Sequence, residues 1–453
     1  MFHWASDAIF YHIYPLGLTG APARNDFFQP SAPRLNQLHG WIDHLKKLGV
    51  NALYLGPVFE STAHGYDTAD YYHVDRRLGS DETLANLSEA LHANGIRLIL
   101  DGVFNHVGRD FWAFRDVQQR GWESSYRGWF HNLRFDGRSP YDDPFTYEGW
   151  AGHHDLIKLS LWNPAVREHL FEAVAYWMDA FAIDGLRLDA ADVIETDFLK
   201  RLAAFCKARR PDFWLMGEIV HGDYRCLANP QMLDSATNYE CYKGLYSSLA
   251  DANYFEIAYA LNRQFGEGGT YRDLPLYNFV DNHDVNRVAS NLLKPAHLYP
   301  LYCLLFTMPG VPSIYYGSEW GLEGKRTPHN DSALRPQLDL GQMTGNTAQW
   351  RLADHITRLA SLRKSLTALR YGAYRQLYVS HEQLAFARCT DSEYVVVMLN
   401  AADSPIQMDV PIPTNFTSAV DMLNLDERFT VQNGRLRVET VHLHWGRILR
   451  LER

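Results

Sequence analysis

The sequence predicts an α/β protein built on a (β/α)8 TIM barrel, with a small excursion domain and a C-terminal antiparallel β domain. Eight short apolar runs alternate with longer amphipathic runs between residues 9 and 370. Such alternation is typical of a parallel sheet covered by helices. After residue 370 the sequence changes to strand-length segments separated by turn residues, a pattern that favours antiparallel pairing.

The eight apolar runs have the length and composition of buried strands. They occupy residues 9–16, 51–58, 97–104, 185–190, 214–219, 235–240, 276–281 and 312–317. Helices are predicted over residues 35–49, 82–95, 166–182 and 356–370, where apolar residues recur every three or four positions. The first two of these segments end at glycine, which is common at helix C-termini. Eight strands with intervening helices predict the barrel.

One connection in this pattern is unusually long. The stretch 107–162, between the third and fourth strands, is rich in Trp, Tyr, Gly and Asp and has no helical period. A long segment of this kind inside a compact fold predicts a separate small domain. We therefore expect a barrel formed by 1–106 and 163–370, an excursion domain at 107–162 and a C-terminal β-sandwich at 371–453.

Composition restricts the partners and the compartment. The formal net charge of −10 argues against nucleic acid or an anionic membrane as a partner. The five cysteines include no CxxC pair, which favours a reducing compartment. No apolar run reaches the roughly 18 residues of a membrane span, and the N-terminus has no signal-peptide pattern. These features predict a cytoplasmic protein.

Charged residues stand repeatedly at the ends of the predicted strands. Asp101 lies in the third strand, Arg187 and Asp189 end the fourth, Glu218 ends the fifth and Asp284 follows the seventh. The strand ends of a barrel meet at one rim, where the active sites of this fold lie. Carboxylates gathered there repel one another, so their coincidence indicates a function.

Glycoside hydrolysis with retention of configuration requires such a cluster. One ionised carboxylate attacks the anomeric carbon, and a protonated one about 5–5.5 Å away assists the leaving group. A third acid can hold substrate hydroxyls, and an arginine beside the nucleophile favours its ionised form. Arg187 lies two residues before Asp189 and so on the same face of the strand.

Four segments resemble, in order and spacing, the sequence signatures of the alpha-amylase family of glycoside hydrolases. They are DGVFNH (101–106), GLRLDAAD (185–192), GEIVH (217–221) and FVDNHD (279–284). The resemblance implies that Asp189 is the nucleophile, Glu218 the general acid/base and Asp284 the stabiliser of the transition state. It also implies that Arg187 orders the nucleophile, His106 and His283 bind sugar hydroxyls, and Tyr66 of HGYDTADYY (64–72) stacks on the sugar ring.

Residues just beyond the matched positions extend this expected site. His221 and Asp192 are expected near the leaving group, and Asp331 and Arg335 near the non-reducing end of the substrate. Aromatic residues of the excursion domain, including Trp112, Trp129, Phe130 and Trp150, are candidates for the cleft wall, although at least half are expected to pack in a core.

Within the family, GEIVH followed by 233–245, together with 153–164, is similar to cyclomaltodextrinases, neopullulanases and maltogenic amylases. That similarity implies cleavage of alpha-1,4 bonds in maltooligosaccharides or cyclodextrins. Those enzymes usually carry an N-terminal β domain used in dimerisation, which this sequence lacks, so dimerisation by that route is not expected and the oligomeric state stays open. A glucanotransferase and an inactive carbohydrate-binding relative are the alternatives, although the three acids are present.

The chemistry itself requires no cofactor, but the resemblance makes a structural calcium ion a candidate. Family members use the Asn of the first motif, an Asp of the excursion domain and a main-chain carbonyl. Asn105 and Asp155 are the matching oxygen ligands here. The Lys-His pair that often follows the nucleophile motif is replaced by Asp192-Val193.

Overall fold

The computed structural model describes residues 4–328, 330–346 and 350–453. Its strands are β1 (Phe10–Ile13), β2 (Ala52–Leu55), β3 (Arg97–Gly102), β4 (His106–Gly108), β5 (Gly149–Trp150), β6 (His153–Lys158), β7 (Gly185–Leu188), β8 (Trp214–Gly217), β9 (Ser235–Ala236), β10 (Tyr277–Asn278), β11 (Val311–Tyr315), β12 (Ala373–Val379), β13 (Gln383–Cys389), β14 (Tyr394–Asn400), β15 (Ile406–Pro411), β16 (Ser418–Asp421), β17 (Arg428–Gln432), β18 (Arg435–Val441) and β19 (Trp445–Glu452).

The α-helices alternate with the strands over most of the chain. They are α1 (Pro15–Leu18), α2 (Ile42–Lys47), α3 (Asp81–Ala93), α4 (Trp112–Arg120), α5 (Pro164–Ala180), α6 (Thr196–Arg209), α7 (Tyr239–Ala250), α8 (Phe255–Phe265), α9 (Leu298–Thr307), α10 (Leu340–Asn346), α11 (Trp350–Ser365) and α12 (Thr367–Tyr371). Short 3-10 turns connect several of them.

The eight predicted strands form a closed parallel barrel. Their order is β10-β11-β1-β2-β3-β7-β8-β9, and every pairing between them is parallel. A parallel bridge between Thr237 and Tyr277 joins the two ends of this order and closes the ring. The predicted (β/α)8 barrel is therefore confirmed.

The barrel strands are buried on both faces. Residues pointing into the lumen form a core rich in large aromatic rings, among them Phe10, Tyr54, Trp214 and Phe279. The rings of Phe10 and Trp214 lie 5.0 Å apart. Residues on the outer face pack against the surrounding helices in a second, larger core. Burial on both faces explains why these strands are continuous apolar runs in the sequence.

The helices follow the sequence pattern with two differences, and one of them is that the segment 356–370 is divided between α11 and α12. The segment predicted as a single helix over 35–49 begins as a 3-10 helix, Arg34–Trp41, and becomes α-helical only in α2. Gly40 lies near that junction, and glycine has a low helix propensity. The N-terminus of α3 is fixed by a capping box between Ser80 and Thr83.

A small sheet follows β3 at the barrel rim. Strands β4, β6 and β5 pair antiparallel in that order, and His106 opens the first of them. Trp129 and Phe130 are buried there, and Trp112 packs partly buried against Trp129. Of the four aromatic residues considered for the cleft wall, Trp150 lines the cavity described below.

The C-terminal strands form one antiparallel sheet in the order β12-β13-β14-β19-β16-β17-β18-β15, so the predicted antiparallel β domain is confirmed. Alternate residues of its strands enter different cores. Leu384 and Phe386 pack in the barrel core, whereas Ala385 and Ala387 pack in a core shared with residues from both ends of the strand order. Among the described residues, no helix is long and apolar enough to cross a membrane.

Close packing between β7 and β8 gives a test of the barrel geometry. A Cβ added at Gly185 would lie 2.5 Å from the carbonyl oxygen of Trp214, whereas one added at Gly40 meets no atom within 4 Å. We expect Gly185→Ala to destabilise the protein by about 1–3 kcal/mol, because the strand backbone cannot yield. Thermal unfolding followed by circular dichroism measures this change. Gly40→Ala is the control, and an equal midpoint in the two variants would contradict the packing argument.

Candidate active site

A cavity of about 670 Å³ opens at the C-terminal ends of the barrel strands. This volume lies within the usual range for small-molecule sites. The residues selected from the sequence that line it include Tyr66, His106, Asp189, Glu218, Asp284 and Arg335. Each stands in a loop after a barrel strand or at the start of the excursion sheet, so the rim of the barrel brings together residues far apart in the chain.

The Arg187 guanidinium is the charged centre of this rim. Its Nη1 lies 2.8 Å from Asp189 Oδ1 and 2.9 Å from Asp101 Oδ1, and its Nη2 lies 2.9 Å from Glu218 Oε2. The arginine side chain is only 3% exposed. One buried cation therefore bridges three carboxylates that would otherwise repel one another.

A strained residue helps to orient the acids. Ala190 follows Asp189 and has left-handed backbone angles, φ 46° and ψ 42°, which non-glycine residues adopt rarely. In this conformation its N–H donates to Glu218 Oε2 at 3.0 Å. The Tyr239 hydroxyl donates to the other carboxylate oxygen, Oε1, at 3.3 Å. Backbone strain of this kind persists where the surroundings over-determine it, as at functional sites.

Electrostatics favour a proton within the cluster. Burial raises the pKa of Asp189 well above its usual range, the charges of Glu218 and Asp101 raise it further, and Arg187 offsets this only in part. The sequence-based expectation was that Arg187 would keep Asp189 ionised, and in the structure burial outweighs that attraction. Three carboxylates around one guanidinium carry an uncompensated negative charge, which together with burial favours a proton on Asp189.

Asp284 lies in a contrasting environment. Its carboxylate oxygens are 2.9 Å from His283 Nε2 and 3.0 Å from Arg335 Nη2. Although burial raises the pKa of Asp284, the charges of His283 and Arg335 and the His283 hydrogen bond hold it well below its usual range. The Tyr66 hydroxyl also contacts His283 Nε2 and donates to Asp101 Oδ2 at 3.1 Å. Asp284 therefore stays ionised near pH 7.

His106 presents a free nitrogen to the cavity. Burial, with the neighbouring charge of His64, lowers the pKa of His106 to about 3, so the ring is neutral near pH 7. Its Nε2 is buried without a hydrogen-bond partner and lies 3.9 Å from Asp189 Oδ2, which is too long for a hydrogen bond. The ring stacks near Trp150, with centroids 5.4 Å apart. A ligand hydroxyl beside Asp189 would satisfy this nitrogen.

The remaining predicted residues differ in their position relative to the cavity. Arg187 and His283 are buried beneath the cavity, Asp192 and Asp331 line it, and His221 is exposed and does not line it. The chain turns at Gly222, where φ is +93°, and His221 beside it lies in solvent outside the cavity lining.

The lining residues that the sequence analysis missed include Tyr239 and His64. Tyr239 belongs to the segment 235–240, where the strand-end rule would have found it, and His64 opens the HGYD segment.

The calcium ligands proposed from the sequence do not fit one ion. Strands β4 and β6 pair with Gly108 opposite Leu156, and Leu159 N donates to Asn105 O. That register places Asp155 four residues along the ladder from Asn105, a distance of about 13 Å at roughly 3.3 Å per residue. Two ligands of one calcium ion, each at about 2.3–2.6 Å, are much closer. Asp155 is exposed, and in the described residues no group of three or more His, Cys, Asp or Glu side chains is arranged to hold a metal.

The barrel and the paired acids at its rim define a class, a glycoside hydrolase with a carboxylate pair. Comparison with known families is more specific. Residues 34–358 match the family described as Alpha amylase, catalytic domain, and residues 374–443 match Neopullulanase-like, C-terminal domain. The first match covers more than half of the chain. The protein therefore belongs to the alpha-amylase family of glycosidases.

Individual relatives cover most of the chain. It is 32% identical over 418 residues to a cyclomaltodextrinase from a Bacillus species, a match spanning 88% of this chain and 73% of the relative. It is 28% identical over 419 residues to an intracellular maltogenic amylase from Bacillus subtilis, spanning 88% and 69%. A solved cyclomaltodextrinase structure superposes with a TM-score of 0.88 at 27% identity, covering 99% of this chain and 78% of that one. These matches confirm the sequence-based resemblance.

Removing the central guanidinium should make stability depend on pH. In Arg187→Met the three carboxylates lose their counter-charge, at a cost of about 3–5 kcal/mol for a broken buried pair. Acids whose pKa is raised by folding stabilise the folded state at low pH and lose that contribution as pH rises. We therefore expect the melting temperature of this variant to fall below that of the wild type more at pH 8 than at pH 5.

The control is Arg167→Met, which breaks the partly exposed pair with Asp197. Such a pair contributes about 0–1 kcal/mol, with no strong pH dependence in this range. A pH-independent difference between Arg187→Met and the wild type would contradict the charge-balance argument.

Proposed function

We propose that the protein hydrolyses alpha-1,4-glucosidic bonds of maltooligosaccharides or cyclodextrins by double displacement. One observation carries this proposal: Arg187 binds Asp189 and Glu218 through its two terminal nitrogens. A shared guanidinium favours the short carboxylate separation of retaining glycosidases, about 5–5.5 Å, over the roughly 6.5–9.5 Å of inverting ones.

In the proposed first step, Asp189 attacks the anomeric carbon while Glu218 gives its proton to the glycosidic oxygen. The carbon–oxygen bond to the leaving group breaks and an ester between Asp189 and the sugar forms. In the second step Glu218 removes a proton from water, which attacks the same carbon and releases Asp189. The attack requires an ionised Asp189 and a proton on Glu218, so the raised pKa of Asp189 in the free protein means that a proton passes from Asp189 to Glu218 before the first step.

The other rim residues have proposed roles in binding. Ionised Asp284 is suited to accept hydrogen bonds from sugar hydroxyls, which strengthen as the ring acquires positive charge. His106 Nε2 is free to bond a hydroxyl, and the half-buried ring of Tyr66 stands beside Asp101 and His283. Arg335 and Asp331, joined at 3.0 Å, lie at the cavity wall where the non-reducing end is expected. His221 is not assigned a role because it is exposed outside the cavity.

The substrate class is inferred from two sources. A cavity of about 670 Å³ encloses a few sugar units and not a long polymer. The relatives named cyclomaltodextrinase and maltogenic amylase support short or cyclic alpha-glucans. A cytoplasmic location is proposed from the relative named intracellular and from five free cysteines in the described residues.

The substrate is tested by timed digests of maltotriose, cyclodextrin, pullulan and soluble starch, followed by chromatography and proton NMR. We expect the oligosaccharide and cyclodextrin to be consumed fastest, and the first product to have the alpha configuration, because two displacements restore the starting one. Initial beta product would exclude double displacement. Products longer than the substrate would show that transfer competes with hydrolysis.

The acid roles are tested by substitution. Asp189→Asn is expected to lower kcat by at least about 10³-fold on every substrate, the scale of single essential groups. Glu218→Ala should lose activity on maltotriose but retain part of it on maltosyl fluoride, whose leaving group needs no protonation. Azide should then accelerate turnover by entering the space left by the side chain. Asp179→Asn, on the exposed face of α5, is the control.

The pH profile of Glu218→Ala on the fluoride gives a second readout. Loss of the Glu218 charge lowers the pKa of Asp189, so the acidic limb should move to lower pH and the basic limb should disappear. An unchanged basic limb without azide rescue would assign the acid/base role to another residue.

A further inference from the structure

A second cavity, of about 290 Å³, lies at the opposite end of the barrel from the active site. Its wall includes the residues that precede β10 and β11, Leu274 to Pro275 and Pro309 to Gly310, and the start of the C-terminal domain at Gly372. Three arginines, Arg272, Arg370 and Arg388, line this cavity. We propose that it binds a phosphate group.

Two fully buried guanidiniums provide the first argument. Arg388 and its neighbour Arg363 are each 1% exposed, and both donate to main-chain carbonyls, including that of Leu369, which they share. In the described part of the chain neither forms an ion pair with a carboxylate. Buried cations without a counter-ion are costly, and carbonyl dipoles compensate only part of the charge.

Repulsion among neighbouring guanidiniums adds to the cost of burying these cations. Burial, together with the charge of Arg370, lowers the pKa of Arg363 to about 9. Burial and the charge of Arg363 likewise lower the pKa of Arg388 to about 9. An anion in the adjacent cavity would relieve the repulsion.

Unused donors provide the second argument. The Nε of Arg370 is buried and has no hydrogen-bond partner, while its Nη1 binds Asp7. Arg272 is exposed at the cavity mouth, and Asp273 is the one acidic side chain in the described lining. The cavity wall therefore carries three guanidiniums, of which Arg370 is paired with Asp7, and one carboxylate.

The guanidinium donors of this cavity indicate which class of ligand it binds. Guanidinium forks bind phosphate and carboxylate through paired N–H bonds, and several forks converging from different directions suit a tetrahedral oxyanion better than a planar one. Phe265, Leu274 and Val311 contribute the apolar part of the wall. The volume admits free phosphate or the phosphate end of a small sugar phosphate.

Isothermal titration calorimetry of the full-length protein tests the proposal, with inorganic phosphate as titrant and ionic strength held constant with chloride. We expect one saturable site. Arg272→Ala, at the exposed mouth, should weaken phosphate binding at least about tenfold, the scale of one charge-assisted hydrogen bond. Arg24→Ala removes an equally exposed charge elsewhere and should leave the affinity unchanged.

Two further measurements make the outcome decisive. The melting temperature without phosphate and the turnover of a chromogenic maltoside should be the same in Arg272→Ala and wild type, since the fold and the opposite rim are untouched. A second calorimetric titration, with glucose 6-phosphate, distinguishes a phosphate ester from free phosphate as the ligand. Tighter binding than that of phosphate indicates an ester, and equal binding indicates the free ion. Absence of saturable binding, or equal affinity in wild type and Arg272→Ala, would overturn the proposal and leave Arg363 and Arg388 as structural ties to the carbonyls.

Discussion

The charge balance around Arg187 is the constraint on which the active-site end of the molecule depends. Asp101, Asp189 and Glu218 all bind this one buried guanidinium at 2.8–2.9 Å. Without this guanidinium, the rim would hold three neighbouring carboxylates whose mutual repulsion would destabilise the folded state. With it, two of the acids bind the same guanidinium, an arrangement that suits the proposed double displacement.

The rest of the barrel serves to hold that geometry. Arg187 and Asp101 belong to neighbouring strands that pair in register, so their side chains meet on the same face. Close contact of Gly185 with the backbone of Trp214 fixes the spacing of β7 and β8, and the left-handed turn at Ala190 directs an N–H to Glu218. Asp189 and Glu218 directly follow the ends of β7 and β8, whereas Tyr66, Asp284 and Arg335 lie farther out in loops. This division agrees with the general rule that precise sites are built on regular elements.

The two ends of the barrel have opposite electrostatic character. Acidic groups exceed basic ones around Arg187, and basic groups exceed acidic ones around Arg388 at the other end. The carbonyls that hold Arg363 and Arg388 include those at the C-terminus of α9, where the helix dipole is negative. The negative end of α9 thus stabilises Arg363 and Arg388 in part. The positive charge that it leaves uncompensated lies beside the cavity lined by Arg388.

Local sequence pattern determined the architecture and most of the site. Eight continuous apolar runs are recognisable because both faces of each barrel strand are buried, and motif residues such as Asp189, Glu218 and Asp284 follow strands whose ends must converge. Burial, register and loop direction were decided only by the tertiary structure.

Burial, and not Arg187, governs the pKa of Asp189, the β4–β6 register separates Asn105 from Asp155, and a turn at Gly222 leaves His221 in solvent. The reason is physical: strand periodicity depends on neighbours in the chain, whereas desolvation and loop direction depend on groups that only folding brings together.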